Sequence, residues 1–152
     1  MPHLRLSTAE KWALVTTALG LLHHVDHVLR VNHSGWPFIA DVNAFTYSLA
    51  VYPLIAVLLW ARGKERFRAV LAFLLFLFPT LSHVLIETPV TQYRTWAFRP
   101  DVNMLGVSSP VLGVVAVVIT VSLSAAALVT FVAFLREARR TSSEENLSGS
   151  AA

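Results

Sequence analysis

Four apolar stretches alternate with polar breaks along the chain, over 12–29, 44–61, 69–87 and from about 104 or 110 to about 136. At about 1.5 Å per residue, eighteen helical residues cover about 27 Å, close to the thickness of a bilayer core. The pattern predicts four helices. Ser7 or Thr8 caps the first, and Glu10 stands three residues after Ser7 as in a capping box. Pro53 and Pro79 fall inside the second and third helices and predict kinks, and Pro89 stops the third. The fourth begins near Met104 or at Ser109-Pro110, where Ser caps and Pro takes the first turn. Residues 141–152 are mostly Ser, Glu, Asn, Gly and Ala, and are expected to be disordered.

The pattern repeats. Sliding the chain by 60 aligns 12–60 with 72–120 at twelve identical positions out of 49, five of them within 36–43. Leu and Val identities carry little weight in apolar segments. The matches of His23 with His83, Trp36 with Trp96, Phe38 with Phe98, and Asp41 and Asn43 with Asp101 and Asn103 carry more. They predict two tandem helical hairpins, one about 12–61 and one about 69–136, in a single domain over 1–140. Asp41 and Asp101 then occupy equivalent places and are expected to cap the second and fourth helices, with a reach toward the mouth of any site between the hairpins.

Composition changes the setting. The chain is 55% hydrophobic and only 14% charged, against about 45–50% and about 25% in soluble domains. The fold expected is therefore all-α: an integral membrane four-helix bundle with a lipid bilayer as its solvent. Ala13 to Leu22 could pass for a signal-peptide core, but no small-x-small cleavage site follows. The absence of cysteine excludes thiolate metal sites. Nine of the twelve Lys and Arg lie at the N-terminus, at 62–68 and at 136–140; Arg30, Arg94 and Arg99 flank the other side. That asymmetry predicts cytoplasmic termini and tail, in a plasma membrane, with both aromatic connections outside. Hairpins of equal orientation are related by a pseudo-two-fold axis along the membrane normal. Trp36, Pro37 and Phe38 read as an interfacial anchor. The basic residues are thus topology signals, and no nucleic-acid patch is found. Asn32-His33-Ser34 fits a glycosylation triplet.

The chemistry sits in the first apolar stretch. His23, His24, Asp26 and His27 interrupt it, and each ionisable group inside a membrane helix costs about 2.5–3.5 kcal/mol. They must face the protein interior and find partners. At about 100° per residue, His23, His27, Asp26 and Arg30 share one side of the helix. Gly20, one turn below, lets a neighbour approach. His83 and Glu87 are a second pair spaced i,i+4. Converging, the two pairs give three imidazoles and a carboxylate. The predicted metal ligands are His23, His27, His83 and Glu87, near the outer face of the membrane. His24, Asp26, Asp41 and Asp101 are candidates for an outer shell or a second metal. Zinc and iron suit the donor set best. Haem b between His23 and His83 is the alternative cofactor, and it would make the protein an electron carrier. A non-enzymatic structural or proton-conducting bundle is the third class.

Two short motifs add resemblances. His23-x-x-Asp26-His27 resembles the His-x-x-Glu-His pattern of inverted zinc proteases, with Asp for Glu. His83-x3-Glu87 resembles the His-x3-Glu helix of the four-helix sterol isomerases, with His27 at the equivalent place in the first repeat. The first resemblance implies a zinc protease and the second an isomerase; a small membrane metalloenzyme with a small lipophilic substrate is the enzyme expected.

Overall fold

The computed structural model describes residues 5–30 and 44–149; Trp36, Phe38, Asp41, Asn43 and the 32–34 triplet lie outside them. The described chain consists of α1 (Thr8–Arg30), α2 (Ala44–Ser48), α3 (Val51–Trp60), α4 (Glu65–Leu85), α5 (Pro89–Ala97), a 3-10 turn (Pro100–Val102) and α6 (Pro110–Gly149). No strand occurs among the described residues. Two helices, α4 and α6, are long and apolar enough to cross a membrane.

Local chemistry sets the helix ends. Ser7 and Glu10 form a reciprocal capping box: the Ser7 N–H donates to Glu10 Oε2 at 2.9 Å, and the Glu10 N–H donates to Ser7 Oγ at 3.2 Å. Ser109 Oγ accepts from the Leu112 N–H at 3.3 Å and opens α6. The helix expected over 44–61 is instead broken at Leu49 and Ala50. Pro53 explains this, because its ring crowds the carbonyl four residues back, which belongs to Leu49. Pro53 then occupies the first turn of α3, where no N–H is needed. The third helix ends at Leu85 rather than 87.

The connection expected over 88–103 contains a helix of its own. Thr88 caps α5, accepting from the Thr91 N–H at 3.2 Å, with Pro89 in the first turn. At the other end, α6 continues to Gly149, so 141–149 is helical where disorder was expected. Hydroxyls of Thr141, Ser142 and Ser143 bond back to carbonyls one turn earlier, and Arg66 donates to Ser142 Oγ. A polar composition here is compatible with a helix extended from an apolar one, because nucleation has already occurred.

Helices α1 and α4 each pack against α6, and each meets α3. The core at the Glu10 end is built from small residues, Ala9, Ala13, Ala69, Ala72 and Ala138, around Leu58, Leu71 and Phe134. Small side chains let helix backbones approach. Glu10 locks this end. It is buried and accepts from Arg62 Nε at 2.7 Å and from Arg68 at 2.9 Å. Burial pushes its carboxyl up, but the bonds from Arg62 and the Ser7 N–H, and the charge of Arg68, hold it below the usual carboxylate range. Arg68 also donates to the Leu58 carbonyl at 3.0 Å and lies 4.6 Å over the Phe134 ring.

Helix α5 lies against α6 at Gly113. A Cβ placed there would come within 2.8 Å of the Tyr93 carbonyl oxygen and ring. Backbone cannot give way as a side-chain tip can. Gly113→Ala should therefore push α5 off α6 and cost about 1–3 kcal/mol. Thermal unfolding in detergent, against Val111→Ala as an exposed control on the same helix, measures it. An unchanged midpoint in Gly113→Ala would reject this packing.

Candidate metal centre

Helix α1 places His23 and His27 one turn apart on its inner face, and α4 places His83 opposite them. The rings of His23 and His27, and of His23 and His83, meet edge to face with 4.6 Å between centroids. Glu87 lies just beyond α4. The N–H groups of Ile86 and Glu87 both donate to the Ser82 carbonyl, at 3.0 and 2.9 Å. That extra turn of chain carries Glu87 over His83.

One nitrogen from each of His23, His27 and His83 lies within 4.8 Å of the others, and all three residues are buried. Such a group could hold a metal ion. His23 Nε2 and His27 Nε2 are 3.0 Å apart, His27 Nε2 is 3.3 Å from Glu87 Oε2, and His83 Nδ1 is 3.7 Å from the same oxygen. All four residues predicted as ligands from the sequence thus come together.

Neighbours set the orientation of His23. Thr120 Oγ1 donates to the Ala116 carbonyl at 3.1 Å, accepts from Gln92 Nε2 at 2.7 Å and lies 3.2 Å from His23 Nδ1. With Nδ1 against Thr120, His23 Nε2 faces His27 Nε2. An outer partner on the second ring nitrogen is what orients a ligand histidine.

The other predicted residues divide. His24 turns away, toward α2 and α3. Ser48 Oγ, which donates to the Phe45 carbonyl, lies 2.8 Å from His24 Nε2, and His24 Nδ1 is hydrogen-bonded with the Tyr52 hydroxyl. Both ring nitrogens are engaged, and His24 has none to offer a second metal. Asp26 reaches the cluster only through Arg30. Its Oδ2 lies 2.6 Å from an Arg30 nitrogen, and its Oδ1 accepts from Trp96 Nε1 at 2.8 Å. Asp41 lies outside the described residues. Asp101 neither caps α6 nor approaches the cluster: it is exposed in the 3-10 turn and pairs with Arg99 at 3.3 Å. Asn103 explains the displaced helix start. Its side chain closes a loop with the Val107 backbone, and α6 begins only after it, at the Ser109 cap.

Sequence reasoning missed Arg30, Gln92, Thr120 and Trp96. Arg30 is fully buried and donates to Glu87 Oε1 at 2.8 Å while holding Asp26. The sequence places Arg30 on the His23 face but not its two partners, and its position four residues after Asp26 is the signal for the first of them. Trp96 is buried against Asp26 rather than anchored at an interface. A cavity of about 620 Å³ borders the cluster and runs between α1, α3, α4 and α6.

Removing Arg30 leaves two buried carboxylates facing each other's charge. Arg30→Gln should cost about 3–5 kcal/mol, the usual penalty for breaking a buried ion pair. Adding Asp26→Asn should recover part of it, since one uncompensated charge is then gone. Thermal unfolding of the single and double variants measures both steps; additive losses would reject the coupling.

No protein-family model, no curated protein and no solved structure matches this chain, so its function is argued from the site alone.

Proposed function

We propose that the protein is a multi-pass membrane protein whose His23, His27, His83 and Glu87 hold a divalent transition metal near the extracytoplasmic face, as the centre of a small membrane metalloenzyme. The observation that carries the reading is the spacing of the donor atoms. Zinc–nitrogen bonds of about 2.0–2.1 Å at tetrahedral angles put neighbouring donors about 3.3 Å apart. The separations of 3.0, 3.3 and 3.7 Å around His27 and Glu87 bracket that edge, and the three histidine nitrogens, within 4.8 Å of one another, need only small side-chain shifts to reach it. Thr120 against the outer nitrogen of His23, and Arg30 holding the other oxygen of Glu87, are what a metal site needs from its surroundings. When bound, the ion supplies Lewis acidity, and the chain's residues orient and neutralise it. Zinc and iron both suit three imidazoles and a carboxylate.

Haem is disfavoured, since the rings of His23 and His83 touch edge to face and leave no slot for a flat macrocycle between them. The membrane setting is supported by α4 and α6, by the shorter apolar stretch Phe45–Trp60, and by the outer surface. Leu21, Leu22 and Val25 of α1 and Val84 and Leu85 of α4 are all more than half exposed. A soluble protein rarely exposes so continuous an apolar surface. The tandem hairpin repeat is consistent with His23 and His83 facing each other from α1 and α4.

Protein purified without chelator should contain one equivalent of metal by elemental analysis. His23→Ala and His83→Ala should lose it with helicity retained, and His24→Ala should keep it. Metal-free protein overturns the reading, and a Soret band that both His23→Ala and His83→Ala abolish would install haem instead.

Orientation is tested separately, and the chain's lack of cysteine makes the test clean. The basic turn at 62–68 belongs inside. A cysteine at Lys64 should resist an impermeant thiol reagent in intact cells, while one at Leu105 should react; the reverse pattern inverts the topology.

A further inference from the structure

The end of the molecule around Glu10 carries most of the cations, and the contacts of the bundle bring them to one height. Arg62 reaches Glu10, so the start of α1, with Arg5 and Lys11, lies beside the turn between α3 and α4. Arg68 lies over the Phe134 ring and Arg66 donates to Ser142 Oγ, so the first turn of α4 lies beside residues 134–142 of α6. Arg136, Arg139 and Arg140 belong to that stretch and are exposed. Among the described residues, none of these three side chains forms an ion pair.

The side of α6 they occupy decides what they face. At about 100° per residue, Phe134, Ala138 and Ser142 turn toward the bundle within an arc of about 80°. Arg136, Arg139 and Arg140 lie about 140–240° round from Phe134, on the opposite side. Glu137 and Glu144 lie at about 280–300°, outside that arc. Earlier in the same helix the arginine side is apolar: Val111, Val114, Val118, Val121 and Val129 all fall in the same arc and are exposed. In a bilayer this valine stripe meets hydrocarbon, and it turns cationic over the turns that follow. Cations that only set topology could stand anywhere around the helix. These three continue the side that faces lipid.

Aromatic rings mark the level. Trp60 is 86% exposed at the end of α3, two residues before Arg62, and Trp12 is exposed next to Lys11. Trp rings settle at the boundary between headgroups and hydrocarbon, which puts the cations beyond them at phosphate depth. The sign of the headgroup follows from the charge. Nine Lys and Arg stand at this end against Glu10, Glu65, Glu137, Glu144 and Glu145, and Glu10 and Glu65 already engage Arg62 and Arg68. A guanidinium fork pairs well with phosphate oxygens. A zwitterionic headgroup offers that phosphate together with its own cation; an anionic one offers it alone.

We propose that this end of the bundle binds the headgroups of anionic phospholipids, with Arg136, Arg139 and Arg140 taking the phosphates at the foot of the valine stripe. The proposal rests on the membrane reading above and is independent of the metal.

Spin-labelled lipids offer the test, because a lipid held against protein gives a motionally restricted spectrum. The full chain is reconstituted in phosphatidylcholine vesicles with a trace of spin-labelled phosphatidylglycerol or phosphatidylcholine. At low salt the protein should favour phosphatidylglycerol about threefold or more. Raising the salt from about 0.01 to about 1 M shortens the screening length from about 30 to about 3 Å and should bring the ratio close to one. The triple variant Arg136→Gln, Arg139→Gln, Arg140→Gln should lose most of the preference, and Arg94→Gln, an exposed arginine at the other end, should keep it. Soluble glycerol phosphate at millimolar concentration should not compete. Equal association of the two lipids, a preference that survives high salt, an unchanged triple variant, or competition by glycerol phosphate would overturn the proposal. The salt titration uses the unaltered chain, so the test stands even where the triple variant fails to reconstitute. A chain that does not float with the vesicles ends the membrane reading and this one together, while one that floats without lipid preference ends only this one.

Discussion

Arg30 is the cation on which the site depends. A guanidinium removed from water is tolerable only when its charge and its donors are both answered, and here two carboxylates do so. Asp26 comes from the same helix one turn back, and Glu87 from the end of another. The planar fork of Arg suits this bridging role, which the compact ammonium of Lys could not fill. Because Arg30 takes one oxygen of Glu87, the other is left to face His27 and His83. Because Asp26 is fixed against Arg30, its second oxygen is aimed at Trp96, and α5 is drawn over the cluster. The geometry of the histidines is thus downstream of one ion-paired network.

The opposite end of the bundle uses the same chemistry for a different purpose. Glu10 gathers Arg62 and Arg68, and Arg68 reaches the Leu58 carbonyl and the Phe134 ring. Alanines pack closely beneath it. With one end closed by Glu10 and the other by Arg30, the helices between need not be fully packed to hold their places. The cavity lies in that middle section, and its threonines have turned their hydroxyls onto their own backbones. Stability is concentrated at the ends, and open volume is left where a ligand could use it.

Much of this was legible in the residues. The i,i+4 spacing of His23 with His27 and of His83 with Glu87 fixed two polar faces, and burial required those faces to meet. The Ser7–Glu10 box and the Ser109–Pro110 start followed from local backbone chemistry. What escaped is equally physical. Pro89 ends one helix and begins another, and only the first role was read. The break at Leu49 follows from Pro53, but a kink and a break look alike in sequence. Asp101 resembles a cap because it precedes an apolar run, yet Asn103 reaches the backbone of Val107 and delays the helix. Arg30 stood at a helix end, where a cation is expected for reasons of topology, and its burial depends on an acid 57 positions away. Such long-range pairings leave no mark on periodicity.

Crowding of like atoms gives the cluster its direction. His23 Nδ1 lies 3.2 Å from Thr120 Oγ1, and His23 Nε2 is turned to His27 Nε2 at 3.0 Å. His27 Nε2 is in turn 3.3 Å from Glu87 Oε2, and His83 Nδ1 stands 3.7 Å from the same oxygen, beyond a normal hydrogen bond. Three ring nitrogens and a carboxylate oxygen thus meet at one buried centre. Protonating the histidines would add positive charge beside Arg30. The metal ion proposed above would instead draw these atoms together without adding a proton to any of them.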